Sequence, residues 1–287
     1  MKFAITQMAM SPDYEENIAK ADALLASAKK DGADCVLLPE LFEYPYFCKR
    51  EDYRYFDLAE DFLDSKTLVH YQKLAIELGL VLPISFFEKA PTCYFNSLAL
   101  IDRDGEIKGL YRKSHIPTGE GYEEKFYFTP GNTGISPIVS SAGKLGIGIC
   151  WDQWFPETSR ILALSGADIL MFPTAIGSEP VTGKDSRKHW QNAMIGSSAQ
   201  NVMPLLASNR IGKEDDMGAT VTFFGHSFAT NQYGEVIAEM DENTEGYRIV
   251  EYDFDVLRRE RTTWGVFRDR RTDLYHDLLL VDPRLGR

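Results

Sequence analysis

Three side chains of this 287-residue chain stand where chemistry can be done: Glu40, Lys113 and Cys150. Each closes an apolar, strand-like run. Cys150 follows Lys144-Leu145-Gly146-Ile147-Gly148-Ile149, in which isoleucines alternate with glycines as a buried strand with close backbone neighbours requires. Pro156 suits the first turn of a helix beginning just beyond. A thiol at such a junction lies near free backbone N–H groups, which favour the thiolate and can hold an oxyanion. A carboxylate such as Glu40 can take the thiol proton, and an ammonium such as Lys113 can stabilise negative charge on a substrate oxygen. Singly, the ordinary readings are a buried structural cysteine, a solvated glutamate and a surface lysine. All three at strand ends, where ligands bind in open α/β folds, point to nucleophilic catalysis.

The elements that must position them alternate along the chain. Phe3 to Met8 reads as a strand. Ser11 is the expected cap of a helix with Pro12 in its first turn, running to about Lys30 and stopped by Gly32. Cys35 to Glu40 is a second strand with Glu40 at its end. A helix near Leu68 to Leu78 precedes a strand over Leu80 to Phe87. Ser97 to Ile101 and Ile107 to Arg112 flank Asp104-Gly105, a strong hairpin signal that leaves Lys113 at the end of the second strand. Beyond the Leu145 to Cys150 strand come a helix over Pro156 to Leu164, a strand over Asp168 to Pro173, a helix over Ser186 to Asn201 and a strand over Pro204 to Ser208. A hairpin joins Ser227 to Thr230 with Glu235 to Glu239, and Arg248 to Phe254 is the last expected strand. This order predicts an α/β protein with helix-covered sheets. With no repeat, linker or compositional break, one domain over residues 1–287 is the simplest organisation.

Apolar residues make up 44% of the chain, enough for a sizeable core. The net charge of −12 argues against nucleic acid or an anionic membrane as partner, but leaves room for a small cationic substrate. Cys35, Cys48, Cys93 and Cys150 have neither CxxC nor metal-ligand spacing, so no metal and no cofactor is implied. The N-terminus reads as a strand, not a signal peptide, and no run is long and apolar enough to span a bilayer. A cytoplasmic, reducing setting is the expectation.

Leu38-Pro39-Glu40, Tyr111-Arg112-Lys113-Ser114-His115 and Gly148-Ile149-Cys150-Trp151-Asp152 resemble the three catalytic motifs of the nitrilase superfamily of carbon–nitrogen hydrolases, in the family's order and over nearly the whole chain. The resemblance implies a four-layer αββα sandwich, a Glu-Lys-Cys triad of Glu40, Lys113 and Cys150, and homo-oligomers. It also implies a second glutamate near the lysine. Glu124-Lys125-Phe126-Tyr127-Phe128 is similar to the segment that supplies it, with Glu120 and Glu123 as rivals to Glu124. The segments around His115, Glu124, Trp151 and Glu179 further resemble the branch that hydrolyses N-carbamoylputrescine. Thr118-Gly119-Glu120 departs from that branch, which is expected to carry a turn with aspartate first and proline last.

A cationic substrate tail held in a pocket needs a carboxylate partner. Glu179, on a loop with Gly177, is the candidate, beside its reading as a helix-capping or solvated acid; Asp152 is a weaker one. Tyr46 and Trp151 suit either a pocket wall or the core. His115 reads as a structural hydrogen-bonding residue. The rival substrate is a neutral or acidic one such as N-carbamoyl-β-alanine, which would call for an arginine, and Arg187 and Arg210 have no place from sequence. A catalytically silent binding protein on this fold, or a glycosidase, would leave Cys150 unexplained. The segment from Val256 to Arg287, with Trp264, Phe267 and Arg268-Asp269-Arg270-Arg271, reads either as a partner surface or as a solvated tail.

Overall fold

The computed structural model describes residues 1–282 and 284. In chain order its elements are β1 (Lys2–Met8), α1 (Tyr14–Lys30), β2 (Cys35–Leu37), β3 (Glu60–Asp61), α2 (Lys66–Leu78), β4 (Leu82–Lys89), β5 (Tyr94–Ile101) and β6 (Ile107–Arg112). There follow α3 (Glu124–Tyr127), β7 (Ile138–Ser140), β8 (Gly143–Ile147), α4 (Pro156–Leu164), β9 (Ile169–Pro173), α5 (Arg187–Asn201) and β10 (Leu205–Asp216). The chain ends with β11 (Ala219–Phe224), β12 (Phe228–Thr230), β13 (Val236–Glu239), β14 (Gly246–Glu251) and α6 (Phe254–Trp264).

Two sheets lie face to face. One runs β14-β1-β2 and continues through a parallel bridge at Cys35 and Val81 into β4-β5-β6. The other runs β13-β12-β10-β9-β8-β7. A short parallel pairing of Gln7 and Met8 with Asn209 and Arg210 ties β1 to β10 and joins the sheets.

Period-two alternation sorts the strand side chains into separate cores. Phe3, Ile5, Leu37, Leu98 and Leu100 meet Leu145, Ile147, Ile169, Met171 and Leu206 between the sheets. Their neighbours Ala4, Val36, Leu82, Ala99 and Ile101 face Ile18, Ala21 and Leu25 of α1 and Leu68 and Tyr71 of α2. On the far side Leu170, Phe172, Leu205 and Ala207 face Leu162 of α4 and Trp190 and Met194 of α5. The result is the expected αββα sandwich. A one-residue slip would turn Phe3 and Ile5 away from the inter-sheet core, so burial on both faces fixes the register, and with it the strand ends.

Several boundaries differ from expectation. Asp13, not Ser11, caps α1: its Oδ1 accepts the N–H of Glu15 and Glu16, while Ser11 Oγ donates to Glu16. β2 stops at Leu37, because Pro39 has no N–H to continue a ladder and the chain turns. The predicted last strand ends at Glu251. Asp253 then caps α6 through the N–H of Asp255 and Val256, drawing Phe254 into the helix. Among the described residues no helix is long and apolar enough to cross a membrane.

Candidate active site

Glu40 lies just past β2 in an irregular segment, residues 39–46, which is buried except for the half-buried Tyr44 and Pro45. Its side chain is fully buried; Oε1 accepts Asn96 Nδ2 at 2.6 Å and Lys113 Nζ at 2.8 Å, and Oε2 has no partner. Lys113 follows β6 directly. Its backbone N–H bonds Asn96 O of β5, and its carbonyl accepts the N–H of Gly131. A Cβ on Gly131 would lie 2.0 Å from the Arg112 carbonyl oxygen, so only glycine permits this close approach. The Lys113 ammonium is fully buried and also donates to Glu124 Oε2 at 2.6 Å.

Of the three glutamates open from sequence, Glu124 is the one that meets Lys113. It opens α3, and its other oxygen accepts Tyr46 Oη at 2.7 Å. Glu123 accepts from Thr118, and Glu120 is exposed. Burial, opposed by Lys113 and reinforced by Glu40, raises the Glu124 carboxyl to about 7. Burial alone would drive Lys113 toward its neutral form, but Glu124 and Glu40 hold its pKa well above the usual ammonium value.

Cys150 opens a 3-10 turn over Cys150–Trp154, with backbone φ of +42°, the left-handed region rare for a side-chain-bearing residue. Burial and the charge of Glu40 raise its thiol well above the free-cysteine value, while Lys113 and the Ala175 backbone N–H lower it. At rest the sulfur therefore holds its proton, and attack requires a base within the site.

The turn is fastened by Asp152, which is fully buried. Its carboxylate accepts the N–H of Ile149 and of His115, the His115 ring at Nδ1 and the hydroxyl of Tyr111. This corrects the expectation for Asp152: its carboxylate is engaged by protein groups, it is absent from the cavity lining, and it ties the Cys150 turn to the chain beyond Lys113. His115 is structural as expected, its ring stacked on Phe155 at 3.7 Å. Tyr46 is likewise corrected: it is fully buried behind Glu124 and lines no part of the cavity.

A cavity of about 150 Å³ opens above Cys150. Glu120, Glu124, Trp151, Trp154 and Glu179 are among its walls. Its charged lining residues are all carboxylates; among the described residues no lysine or arginine lines it. Glu179 is half-buried and accepts Ser186 Oγ at 2.7 Å. Tyr122 braces the wall by accepting the Gly177 N–H and donating to Ser178 O. A larger depression of about 600 Å³ also includes Glu179, together with Lys184 and Arg187, but none of Glu40, Lys113 and Cys150.

Sequence reasoning missed Asn96 and left Arg210 unplaced. Asn96 lies inside a strand of otherwise ordinary pattern, and Arg210 is fully buried, bound to the Glu40 carbonyl and not to the cavity. Neither carries a local signal. At the C-terminus Phe267 folds back on the α4/α5 core and receives the Arg160 guanidinium, and Arg268 and Arg271 pair with Asp269 and Asp273. These three residues thus meet groups of their own chain. Trp264 stays exposed, and residues 283 and 285–287 of the predicted segment lie outside the described residues.

One buried group stands beside the chemistry. Burial raises Glu43 to about 8, with Glu60 adding to the rise and its own backbone N–H, Arg210 and Lys66 opposing it. Folded, this carboxyl stays protonated up to about pH 8, whereas unfolded it titrates near 4.5. Stability should therefore fall as pH rises between those values, by several kcal/mol at roughly 1.4 kcal/mol per unit. Glu43→Gln should flatten this decline. Melts at pH 5.5 and 8 that show the same gain at both would contradict it.

The sequence matches the carbon-nitrogen hydrolase family over residues 2–262. It is 49% identical over 284 residues to an N-carbamoylputrescine amidase of Arabidopsis thaliana, covering 97% of this chain and 95% of that one. It is 46% identical over 280 residues to a citrullinase of Francisella tularensis, covering 97% and 98%. A crystal structure of a carbon-nitrogen hydrolase from Helicobacter pylori superposes with a TM-score of 0.92 at 39% identity, over 98% of this chain and 99% of that one.

Proposed function

The chain belongs to the carbon–nitrogen hydrolase family, and from that premise we propose that it hydrolyses N-carbamoylputrescine to putrescine, ammonia and carbon dioxide. The observation that carries this reading is a cysteine beside a buried Glu-Lys-Glu group, at the floor of a cavity whose charged lining residues are all carboxylates. A ureido group reaches the sulfur, and a cationic tail finds Glu179 at the wall.

Glu40 takes the thiol proton through its unpartnered oxygen. The thiolate adds to the ureido carbon, and the developing oxyanion faces the Lys113 ammonium and the Trp151 N–H. Removing one donor of this kind costs roughly 3–4 kcal/mol in other enzymes. One nitrogen leaves with the proton returned by Glu40, and a thioester-type carbonyl remains on sulfur. Water deprotonated by Glu40 releases it as a carbamic acid, which breaks down to amine, or ammonia, and carbon dioxide. The chain works as one catalytic domain in the cytoplasm. Self-association of this chain is supported by Trp264, Leu274, Leu278 and Leu279, exposed near the C-terminus.

The tail of N-carbamoyl-β-alanine carries a carboxylate alone and that of citrulline a carboxylate beside an α-ammonium, and either carboxylate would face Glu120 and Glu179 in a cavity lined, among the described residues, by no lysine or arginine. Like charges so placed cost several kcal/mol, so kcat/KM for N-carbamoylputrescine should exceed that for N-carbamoyl-β-alanine by at least about 10²-fold, and that for citrulline, whose ammonium offsets part of the cost, by about tenfold. Ammonia release from the three substrates tests this, and preference for either carboxylate substrate would overturn the assignment while keeping the chemistry. Glu179→Gln should raise KM for N-carbamoylputrescine by about 10- to 100-fold, the worth of a charge-assisted hydrogen bond, and leave a neutral alkylurea unchanged. Equal effects on both would remove Glu179 from recognition.

A further inference from the structure

The segment carrying Glu40 has neither helix nor strand to satisfy its backbone, yet it is buried. Buried carbonyls need partners, and here two buried cations from outside the segment's core supply them. Arg210, on β10, uses all five guanidinium N–H groups. Nε and Nη2 donate to the Glu40 carbonyl at 3.2 and 2.9 Å, Nη2 also to the Leu41 carbonyl, and Nη1 to the Tyr44 carbonyl at 3.0 Å and Glu214 at 3.1 Å. Lys49 donates to the Tyr46 carbonyl at 2.6 Å and to Glu214 at 3.0 Å. Glu214 closes the network by accepting the Tyr46 N–H at 2.6 Å. Arg210, Lys49 and Glu214 are each less than a tenth exposed.

This network grips both ends of one lever. At one end is the backbone of Glu40, followed by Leu41 at φ +48°, a conformation that does not hold itself. At the other is Tyr46, whose hydroxyl holds Glu124. Both carboxylates on Lys113 therefore inherit their positions from the same three charged residues. A planar fork spans three carbonyls and a carboxylate at once; a lysine ammonium, with its donors on one atom, does not.

We propose that Arg210, locked by Glu214, is a positioning residue that aims the Glu40 carboxylate at the Cys150 thiol. The proposal rests on Glu40 acting as base, and its test does not depend on the substrate. Alkylation of Cys150 by iodoacetamide reads deprotonation of the thiol with no substrate present.

Arg210→Lys should lower both kcat and the alkylation rate by about 10²-fold, the effect of an ångström-scale misplacement, with KM within about twofold. In a Glu40→Gln background the same change should lower alkylation by less than about twofold, because the residue it aims is gone. Glu214→Gln, which keeps the carbonyl contacts of Arg210 but removes its charged lock, should lower both rates by about tenfold. It serves as the test if Arg210→Lys does not fold. An equal loss in the Glu40→Gln background, or a lowered melting temperature with unchanged alkylation per folded molecule, would make Arg210 merely structural and overturn the proposal. Absence of turnover on every carbamoyl substrate in the unaltered protein would instead count against the proposed function and leave the alkylation result standing.

Discussion

Cys150→Ala should lower kcat by at least about 10⁴-fold, the scale on which nucleophile removal acts in hydrolases, and should leave the melting temperature within about 2 °C. The asymmetry follows from where the sulfur points. Cys150 lines the cavity at the margin of the inter-sheet core, so its loss widens an existing opening and creates no separate sealed void. Alanine accepts the left-handed backbone no worse than cysteine does, since each has one Cβ. Iodoacetamide labelling supplies the control. Cys35, Cys48 and Cys150 are buried, of which Cys150 lines the cavity, and Cys93 is the more exposed and sets the background, so label mapped to the Cys150 peptide should vanish in the variant while that on Cys93 stays. Retention of full activity would end the thiol mechanism and reopen the readings in which this cysteine is structural.

Lys113→Met should damage both activity and stability, and pH separates the two. Without the ammonium, Glu40 and Glu124 become neighbouring buried carboxylates with no cation between them. Breaking a buried pair in this way costs about 3–5 kcal/mol, and turnover should fall at least about 10³-fold with the loss of an oxyanion donor. Lys113 is what draws the Glu124 carboxyl down against burial and Glu40, so its removal raises that carboxyl above about 7. A carboxyl raised in the folded state favours folding while protonated and opposes it as pH climbs. The deficit in melting temperature should therefore be large at pH 7.5 and shrink toward pH 5. Adding Glu124→Gln should recover much of the stability and none of the rate. A deficit independent of pH would show that packing, not charge, is what Lys113 contributes.

The proposed reacting groups are legible because each ends a run of recognisable period, and the hairpin through Asp104-Gly105 fixes where Lys113 emerges. Glu124 needed the family resemblance, since Glu120 and Glu123 are near neighbours of the same type and only the third opens the four-residue helix that brings its carboxylate to Lys113. The readings that failed depend on the same kind of information. Asp152 and Tyr46 carry pocket-like chemistry, but a 3-10 turn and an irregular buried segment point them into the protein. Asn96 and Arg210 approach Glu40 from strands far along the chain, and nothing local to either residue encodes that meeting. At the C-terminus the period of Arg248 to Phe254 was read correctly as far as Glu251; the Asp253 cap then overrode it.

The chemistry hangs on strand ends set by a core filled on both sides, whereas Glu179 hangs on the exposed connection between β9 and α5. The two meet at Gly177 and Ser178, which bond Tyr122 and Thr222 of β11, while Glu179 bonds within its own connection, to Ser186 and Gly183. Residues 180–185 can be lengthened, recharged or exchanged for a relative's connection without breaking the bonds of Gly177 and Ser178, and the proposed reacting atoms would keep their places. Evolution can thus treat the tail-binding wall as an interchangeable fitting on a fixed engine. Enzymes of nearly equal similarity to this chain, one named for a carbamoyl diamine and another for citrulline, are the outcome such a division of labour permits.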